Sequence, residues 1–140
     1  MFKKILALHT GGTISMAADD SGAVITNKVN PMNQVTSPIE GIEVTSEDIF
    51  NLPSPQMTPR HMLALYQRIK EAASHFDGIV ITHGTDTLEE TAYFLDTMEL
   101  PEISVVITGA MRSSNELGSD GVYNFLTALR VAADPKARDK

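Results

Sequence analysis

The sequence contains no cysteine. Disulfides and thiolate nucleophiles are therefore excluded, although this absence fits any cellular compartment. The sequence also has no apolar run close to the roughly 18–20 residues of a membrane-spanning helix. After the basic residues Lys3 and Lys4, the apolar run covers only residues 5–8, whereas a secretory signal needs about 7–15 apolar residues. We interpret this run as a first strand and expect a cytoplasmic protein.

Basic residues are scarce and do not cluster. Eleven Lys and Arg face eighteen Asp and Glu, which gives a formal net charge of −7. A chain with this charge is a poor partner for nucleic acid or for an anionic membrane. The sequence also lacks repeats and low-complexity tracts. Its 140 residues, 42% hydrophobic and 21% charged, predict one folded domain over residues 1–140.

Short apolar runs alternate with segments of helical periodicity along the chain. Four runs predict strands, and the limits of the second are uncertain: residues 5–8, 42–52, 78–82 and 103–107. Between residues 10 and 38 the chain is polar and predicts a long loop. Loops of this length are usually functional or mobile, but a surface excursion with a short helix inside explains the segment about as well. Strands that alternate with helices predict an α/β fold, a mostly parallel sheet flanked by helices.

The helix starts carry their own signals. Thr58 followed by Pro59 is typical of a cap and a first helical residue. Thr87 and Glu90 have the spacing of a capping box, and Ser119 or Asp120 should cap the last helix. In that helix we expect an inward face that comprises Val122, Phe125, Leu126, Leu129 and Ala132.

Polar clusters follow three of the predicted strands, at residues 9–13 (HTGGT), 82–87 (THGTDT) and 108–114 (TGAMRSS). Ligands of parallel sheets bind at the carboxyl ends of the strands, so these clusters should converge. The first cluster lacks the spacing of a dinucleotide or phosphate loop, and a simple tight turn explains it about as well as a binding loop. The four histidines have no metal-ligand spacing, and His83 is expected to orient the turn at Thr85.

Asp86 is the informative residue of the second cluster. Since Thr87 has a capping partner in Glu90, Asp86 is not needed as a helix cap. A carboxylate at a cleft without a structural task suits an ammonium group.

Three blocks of the sequence resemble the bacterial-type L-asparaginase family, also called the asparaginase/glutaminase family. They are residues 10–15 (TGGTIS), residues 78–92 (GIVITHGTDTLEETA), and residues 109–112 (GAMR) with 119–121 (SDG). The likeness runs over nearly the whole chain and is greatest to cytoplasmic-type members. The resemblance implies hydrolysis of the side-chain amide of asparagine, and sometimes of glutamine, by threonine hydroxyls without a metal or organic cofactor.

The resemblance also implies a role for each matching residue. Thr13 matches the nucleophile, Thr85 the second catalytic threonine, and Asp86 the carboxylate that holds the substrate's α-ammonium group. Ser54 matches the serine that binds the α-carboxylate. Ala110 lies where the family places a backbone carbonyl against the substrate amide.

The physical chemistry of amide hydrolysis agrees with these roles. A threonine hydroxyl becomes a good nucleophile only when a base accepts its proton. Attack on an amide creates an oxyanion, which backbone N–H groups of a glycine turn stabilise. Gly12 and Gly84 are the candidates for these turns, because each directly precedes one of the threonines.

Departures from the family pattern limit the expectation for this chain. The family's relay lysine has no counterpart among the matching residues, and only Lys28, in the long loop, has any prospect of reaching the site. Val24 stands where many members have a lid tyrosine. Family chains are over twice as long, with a second domain. We therefore expect most of a flavodoxin-like amino-terminal domain, truncated and nearly inactive alone, whose full-length form is a homodimer or homotetramer.

Three functional hypotheses remain from the sequence. The first is an L-asparagine amidohydrolase. The second is a non-catalytic amino-acid-binding or interaction module, and the third is the asparaginase-like subunit of a tRNA-dependent amidotransferase. The sequence does not choose between asparagine and glutamine, because one methylene group contributes only about 1–3 kcal/mol of discrimination.

Overall fold

The computed structural model describes residues 2–26, 30–34, 39–138 and 140. In these ranges the chain forms six strands and three α-helices. The strands are β1 (Lys3–His9), β2 (Met16–Ala18), β3 (Val24–Thr26), β4 (Ile42–Asp48), β5 (Gly78–Thr82) and β6 (Ser104–Thr108), and the helices are α1 (Pro59–Ala72), α2 (Leu88–Thr97) and α3 (Gly121–Ala133). No helix of the described residues is both long enough and apolar enough to cross a membrane.

Four strands form one parallel sheet in the order β4-β1-β5-β6. The α/β class is thereby confirmed, and the order is the beginning of the flavodoxin-like arrangement. In the register of the sheet, His9 lies beside Asp48 and Thr82, and Thr82 lies beside Thr108. The carboxyl ends of all four strands therefore meet at one edge. The loop predicted for residues 10–38 instead contains an antiparallel hairpin of β2 and β3.

The sheet is covered on both faces. Side chains of α3, among them Phe125 and Leu129, pack with Ile5 and Val80 on one face. Side chains of α1 and α2 pack with Leu6 and the rest of a second cluster on the other face. Burial on both faces explains why residues 5–8 of β1 and residues 78–82 of β5 read as continuous apolar runs in the sequence.

The start of α1 is as predicted. Pro59 is the first helical residue, and Thr58 caps the helix. The Thr58 hydroxyl accepts from the His61 backbone N–H at 3.5 Å, and the Thr58 N–H donates to His61 Nδ1 at 3.0 Å. Here a histidine takes the place of the usual Glu or Gln in the capping box.

The capping box predicted for α2 is wrong. The Thr87 hydroxyl donates to the carbonyl oxygen of Ser54 at 2.9 Å and makes no capping bond. The Thr87 hydroxyl therefore bonds to a residue 33 positions away and not to the first turn of its own helix. The spacing of residues in the sequence does not reveal such a distant partner.

Two details of α3 also differ from the sequence prediction. Asp120 precedes the helix but makes no side-chain cap, because its carboxylate binds the preceding loop instead. Val122 is 46% exposed, whereas Phe125, Leu129 and Ala132 are buried as predicted. The buried face begins at Gly121, one position before Val122, so Val122 turns away from the sheet.

Candidate active site

The turns that follow β1 and β5 touch through two glycines. Gly12 has a φ angle of 83°, in the left-handed region, and a Cβ atom there would lie 2.5 Å from the Gly84 nitrogen. A Cβ atom on Gly84 would lie 2.5 Å from Ser54 Cβ and 2.6 Å from Ser54 Oγ. Only residues without a side chain allow this approach. Three separate segments of the chain therefore meet at one point of the sheet edge.

Ser54 ties this point to the turn before α2. The residue is 3% exposed, and it starts the short 3-10 helix Ser54–Gln56. Its Oγ accepts the backbone N–H of Asp86 at 3.1 Å, and its carbonyl accepts the Thr87 hydroxyl. Because Ser54 Oγ accepts one bond, its own hydrogen remains available to donate, for example to a carboxylate.

Thr85 and Asp86 are exposed on this turn. A Cβ atom on Gly109 would lie 3.1 Å from Thr85 Cγ2, so the threonine methyl group packs against the loop after β6. In the described part of the chain the Asp86 carboxylate has no hydrogen-bonding or ion-pair partner. The carboxylate is therefore free to bind an ammonium group from solvent.

Thr13 begins a 3-10 turn, Thr13–Ser15, directly after Gly12. The Ser15 N–H donates to the Gly12 carbonyl at 2.9 Å. Among the described residues the Thr13 hydroxyl has no hydrogen-bond partner, and the residue is half-buried. Since Gly12 and Gly84 are in contact and each threonine is the next residue, the Cα atoms of Thr13 and Thr85 lie at most about 13 Å apart.

Ala110 lies in a loop that is firmly held. It is 1% exposed, and the carboxylate of Asp120 accepts the N–H groups of Met111 and Arg112, both at 3.0 Å. Asn124 Nδ2 donates to the Gly109 carbonyl at 2.9 Å. The Met111 N–H and the other donors lower the pKa of Asp120 below its ordinary value. The loop is thus fixed on both sides of Ala110.

His83 supports the Gly84 turn from below. Its Nδ1 donates to the Gly84 carbonyl at 2.8 Å, because a carbonyl can only accept, and its Nε2 accepts the Thr91 hydroxyl at 2.7 Å. Burial lowers the pKa of His83, which keeps the ring neutral with one donor and one acceptor. The orienting role expected for His83 agrees with these contacts.

His9 lies deeper, at the end of β1. It is fully buried, and its Nδ1 is 2.8 Å from Thr82 Oγ1. Burial lowers the pKa of His9 to about 4, against a smaller opposing effect of Asp48. The described residues contain no group of three or more His, Asp or Glu that could hold a metal ion.

Three of the described lysines have neighbours other than the candidate site residues. Lys3 faces Asp77 at the amino end of β1, with Nζ 3.9 Å from the carboxylate. Lys70 lies over the Tyr66 ring, 5.2 Å from its centroid, and Lys140 lines a groove beside β6. Lys28 lies outside the described residues.

Sequence reasoning missed the residues that support the site. Thr91 and Asp120 belong to the blocks that resemble the family, and Asp120 is also a capping candidate, but the sequence predicted no supporting contact for either residue. Their partners are 8 residues away for Thr91 and 8 or 9 residues away for Asp120. For Asp120 a signal was present, since two neighbouring candidates, Ser119 and Asp120, competed for one capping position.

The fold and the site together define a class of protein. It is a parallel α/β protein with threonine hydroxyls, a free carboxylate and glycine turns gathered at the carboxyl edge of its sheet. The model of the family described as "Asparaginase, N-terminal" matches residues 4–140. The chain belongs to this family.

Individual relatives agree with this assignment. A probable L-asparaginase of Deinococcus radiodurans is 41% identical over 133 residues, which is 95% of this chain and 40% of the relative. A glutaminase-asparaginase of Pseudomonas aeruginosa is 39% identical over 145 residues, 97% of this chain and 40% of the relative. The structure of a probable cytoplasmic L-asparaginase from Campylobacter jejuni superposes with a TM-score of 0.85 and 35% identity, over 99% of this chain and 42% of that one. The chain thus spans about two fifths of the length of the relatives it matches.

Proposed function

We propose that the whole protein is an L-asparagine amidohydrolase, which converts asparagine and water to aspartate and ammonia. The observation that carries the proposal is the contact of the Gly12 and Gly84 turns, with Ser54 against them. This contact brings the segments of Thr13, Thr85 and Asp86 to one edge of the sheet. The family membership and the names of the relatives support the same activity.

The reaction assigns one role to each segment. Thr13 Oγ attacks the amide carbon, the Thr13 proton passes to a base, and the oxyanion is stabilised by N–H groups of the glycine turns. The C–N bond then breaks, and the nitrogen takes up a proton and leaves as ammonia. Water attacks the resulting ester, the bond to Thr13 breaks, and aspartate is released.

The substrate class is an amino acid with a side-chain amide. Asp86 holds the α-ammonium group, and the Ser54 hydroxyl donates to the α-carboxylate. Ala110 supplies a backbone carbonyl to the amide N–H, and Thr85 acts as the second catalytic threonine. The name of the Pseudomonas aeruginosa relative supports glutamine as a further substrate.

The test is ammonia release from asparagine and from glutamine by the complete translation product of the gene. Thr13→Ala should lower kcat at least about a thousand-fold, because it removes the nucleophile. Thr127→Ala is the matched control, since the Thr127 hydroxyl is exposed and donates only to a carbonyl of its own helix, at Tyr123. Equal rates for Thr13→Ala and the unaltered protein would refute the proposal.

A non-catalytic amino-acid-binding module is the second candidate. It is favoured by the positions of Lys3, which faces Asp77 at the amino end of β1, and of Lys70, which lies over the Tyr66 ring, since neither serves as a basic partner of Thr85. Calorimetry with aspartate should then show binding by the 140-residue chain without any turnover of asparagine. Turnover by this chain would exclude the second candidate.

We also propose that residues 1–140 form most of one domain, that the whole protein works in the cytoplasm, and that it assembles as a homodimer or homotetramer. The name of the Campylobacter jejuni neighbour supports the cytoplasm, whereas another relative is named periplasmic. Cell fractionation and light scattering of the complete product would decide compartment and assembly. An export of the protein, or a monomer, would contradict these proposals.

A further inference from the structure

The strand β2, which follows the turn at Thr13, makes hydrogen bonds along both of its edges. On one edge, β2 pairs with β3 of the hairpin. On the other edge, the Met16 carbonyl accepts from the N–H of Ser114 at 2.9 Å and from its hydroxyl at 2.8 Å. A loop nearly 100 residues further along the chain thus occupies the place of a third strand.

The side chain of Asn115 completes this contact. Its Oδ1 accepts the Ala18 N–H at 2.6 Å, and its Nδ2 donates to the Ala18 carbonyl at 2.7 Å. A carboxamide has one acceptor and one donor side, and both bind the same residue here. The pair reproduces the two bonds that a neighbouring strand would exchange with Ala18.

The loop that carries Asn115 is itself fixed. The Glu116 carboxylate accepts the N–H of Ser113 at 2.6 Å and its hydroxyl at 2.9 Å. Asp120 holds the backbone of Met111 and Arg112 in the same loop. Asn115 therefore connects β2 to the segment that contains Ala110.

We propose that Asn115 is a positioning residue that fixes the strand after Thr13 to the loop of Ala110. The nucleophile and the carbonyl that faces the substrate amide then belong to one rigid unit; this catalytic consequence rests on the proposed function. Without the Asn115 side chain, β2 would keep only the bonds from Ser114 to Met16 on this edge. Its other edge is a hairpin of three residue pairs, whose partner residues Val24 and Ile25 are about half exposed. Such a short hairpin is marginally stable in water.

Hydrogen exchange on the 140-residue chain tests the anchor without requiring activity. In Asn115→Ala, exchange of the Ala18 amide and of the Ser15 amide, which reports the turn at Thr13, should quicken about tenfold or more, while amides of β5 stay protected. Asn115→Asp keeps the acceptor for the Ala18 N–H and should give an intermediate result. Leu117→Ala, which shortens a side chain 95% exposed in the same loop, is the matched control and should resemble the unaltered chain.

Unchanged exchange at Ser15 in Asn115→Ala would overturn the proposal, even if Ala18 alone were released. Loss of protection across β5 in Asn115→Ala would show that this substitution unfolds the domain. In that case Asn115→Asp is the test of the proposal. Unchanged exchange of the Ser15 and Ala18 amides in Asn115→Asp would also overturn the proposal.

Kinetics of the complete translation product separate positioning from simple stability. Ser54 and Asp86 lie on other loops, so Asn115→Ala should lower kcat about tenfold with KM nearly unchanged, and Asn115→Asp should recover part of the loss. A raised KM with unchanged kcat would overturn the positioning role. If the unaltered protein has no turnover at all, the proposed function fails, while the exchange experiment still decides whether Asn115 anchors the strand.

Discussion

At the scale of single residues, the close approach of the turns at the candidate site depends on glycines, which have no side chain. Gly12 and Gly84 bring two turns together because neither carries a Cβ atom, and Ser54 fills the space against Gly84. The hydroxyl groups proposed for catalysis follow directly in the sequence. The positions of Thr13 and Thr85 are therefore set by their glycine neighbours.

Gly84→Ala should displace Ser54. The new Cβ would lie 2.5 Å from Ser54 Cβ, a distance that forces one segment to move, and overpacking of this kind costs about 1–3 kcal/mol of folding stability. We expect aspartate binding to the 140-residue chain, measured by calorimetry, to weaken at least tenfold, and the urea midpoint to fall.

Gly22→Ala is the control for this prediction. A Cβ there meets no atom within 4 Å, so the substitution should cost only the strain of its positive φ, about 1–2 kcal/mol. Binding should be unchanged in Gly22→Ala. The same binding in both variants would show that the contact of Gly84 with Ser54 is not needed for ligand binding.

At the scale of elements, the sequence predicts the buried strands and fails where the partners are distant. The apolar run at residues 78–82 coincides with β5, because a strand buried on both faces has no polar interruption. The three-residue strands β2 and β3 are too short to show a period, so the long loop concealed a hairpin. The capping box predicted for α2 is wrong because the Thr87 hydroxyl donates to the Ser54 carbonyl.

The site residues divide in the same way. The position of Thr13, Thr85 and Asp86 just after strands is enough to predict that they gather at one edge of a parallel sheet. Ser54 follows β4 only after a further five residues, and it came from the family resemblance. The anchoring contacts of Asn115 and Asp120 are hydrogen bonds between loops, which no local pattern encodes.

The strand β6 has one unpaired edge among the described residues. Among the described residues it pairs only with β5, and its sequence, Ser-Val-Val-Ile-Thr, has no charge and no proline. Grooves of about 580 Å³ and 200 Å³ flank it on the sides of α2 and α3. An unprotected edge of this kind is a template for another strand, so the 140-residue chain should self-associate as its concentration rises.

Light scattering over a concentration series measures this association. Val105→Lys places a charge in the larger groove and should shift the association to higher concentration, because charged edge residues oppose strand pairing. Leu63→Lys makes the same kind of change on α1, at a side chain 40% exposed, and should have no effect. A monomer at all concentrations, or an equal response to both substitutions, would contradict the assignment to β6.

At the scale of the whole molecule, two buried histidines couple the stability of the fold to pH. Burial lowers the pKa of His9 to about 4 and also lowers that of His83, whereas the ordinary pKa of a histidine is about 6.5. Both rings lie at the carboxyl edge of the sheet, beneath the proposed site. Their neutral forms are therefore part of the folded state at neutral pH.

The direction of the effect follows from the proton balance. Above pH 6.5 neither state of His9 binds a proton, and the full stability is present. As the pH falls from 6.5 to about 4, His9 binds a proton in the unfolded chain but not in the folded chain. The free energy of unfolding should therefore fall by about 3 kcal/mol from His9 alone. The lowered pKa values of Asp19, Glu116 and Asp120 act in the same direction, but only below about pH 4.5, because the ordinary pKa values of Asp and Glu are about 4.

Urea unfolding of the 140-residue chain between pH 7.5 and 4.5 measures this dependence. His9→Gln cannot take up the proton, so it should flatten the decline even though the substitution lowers stability at pH 7.5. His75→Gln, at an exposed histidine, is the control and should keep the full slope. In the folded protein, protonation of His9 would leave a charged Nε2–H group buried without a hydrogen-bond partner among the described residues. The ring centroid of Phe125 lies 5.7 Å from that of His9, and this apolar neighbour disfavours the charged form. A slope that is identical in His9→Gln and the unaltered chain would mean that another group governs the acid stability of the sheet edge.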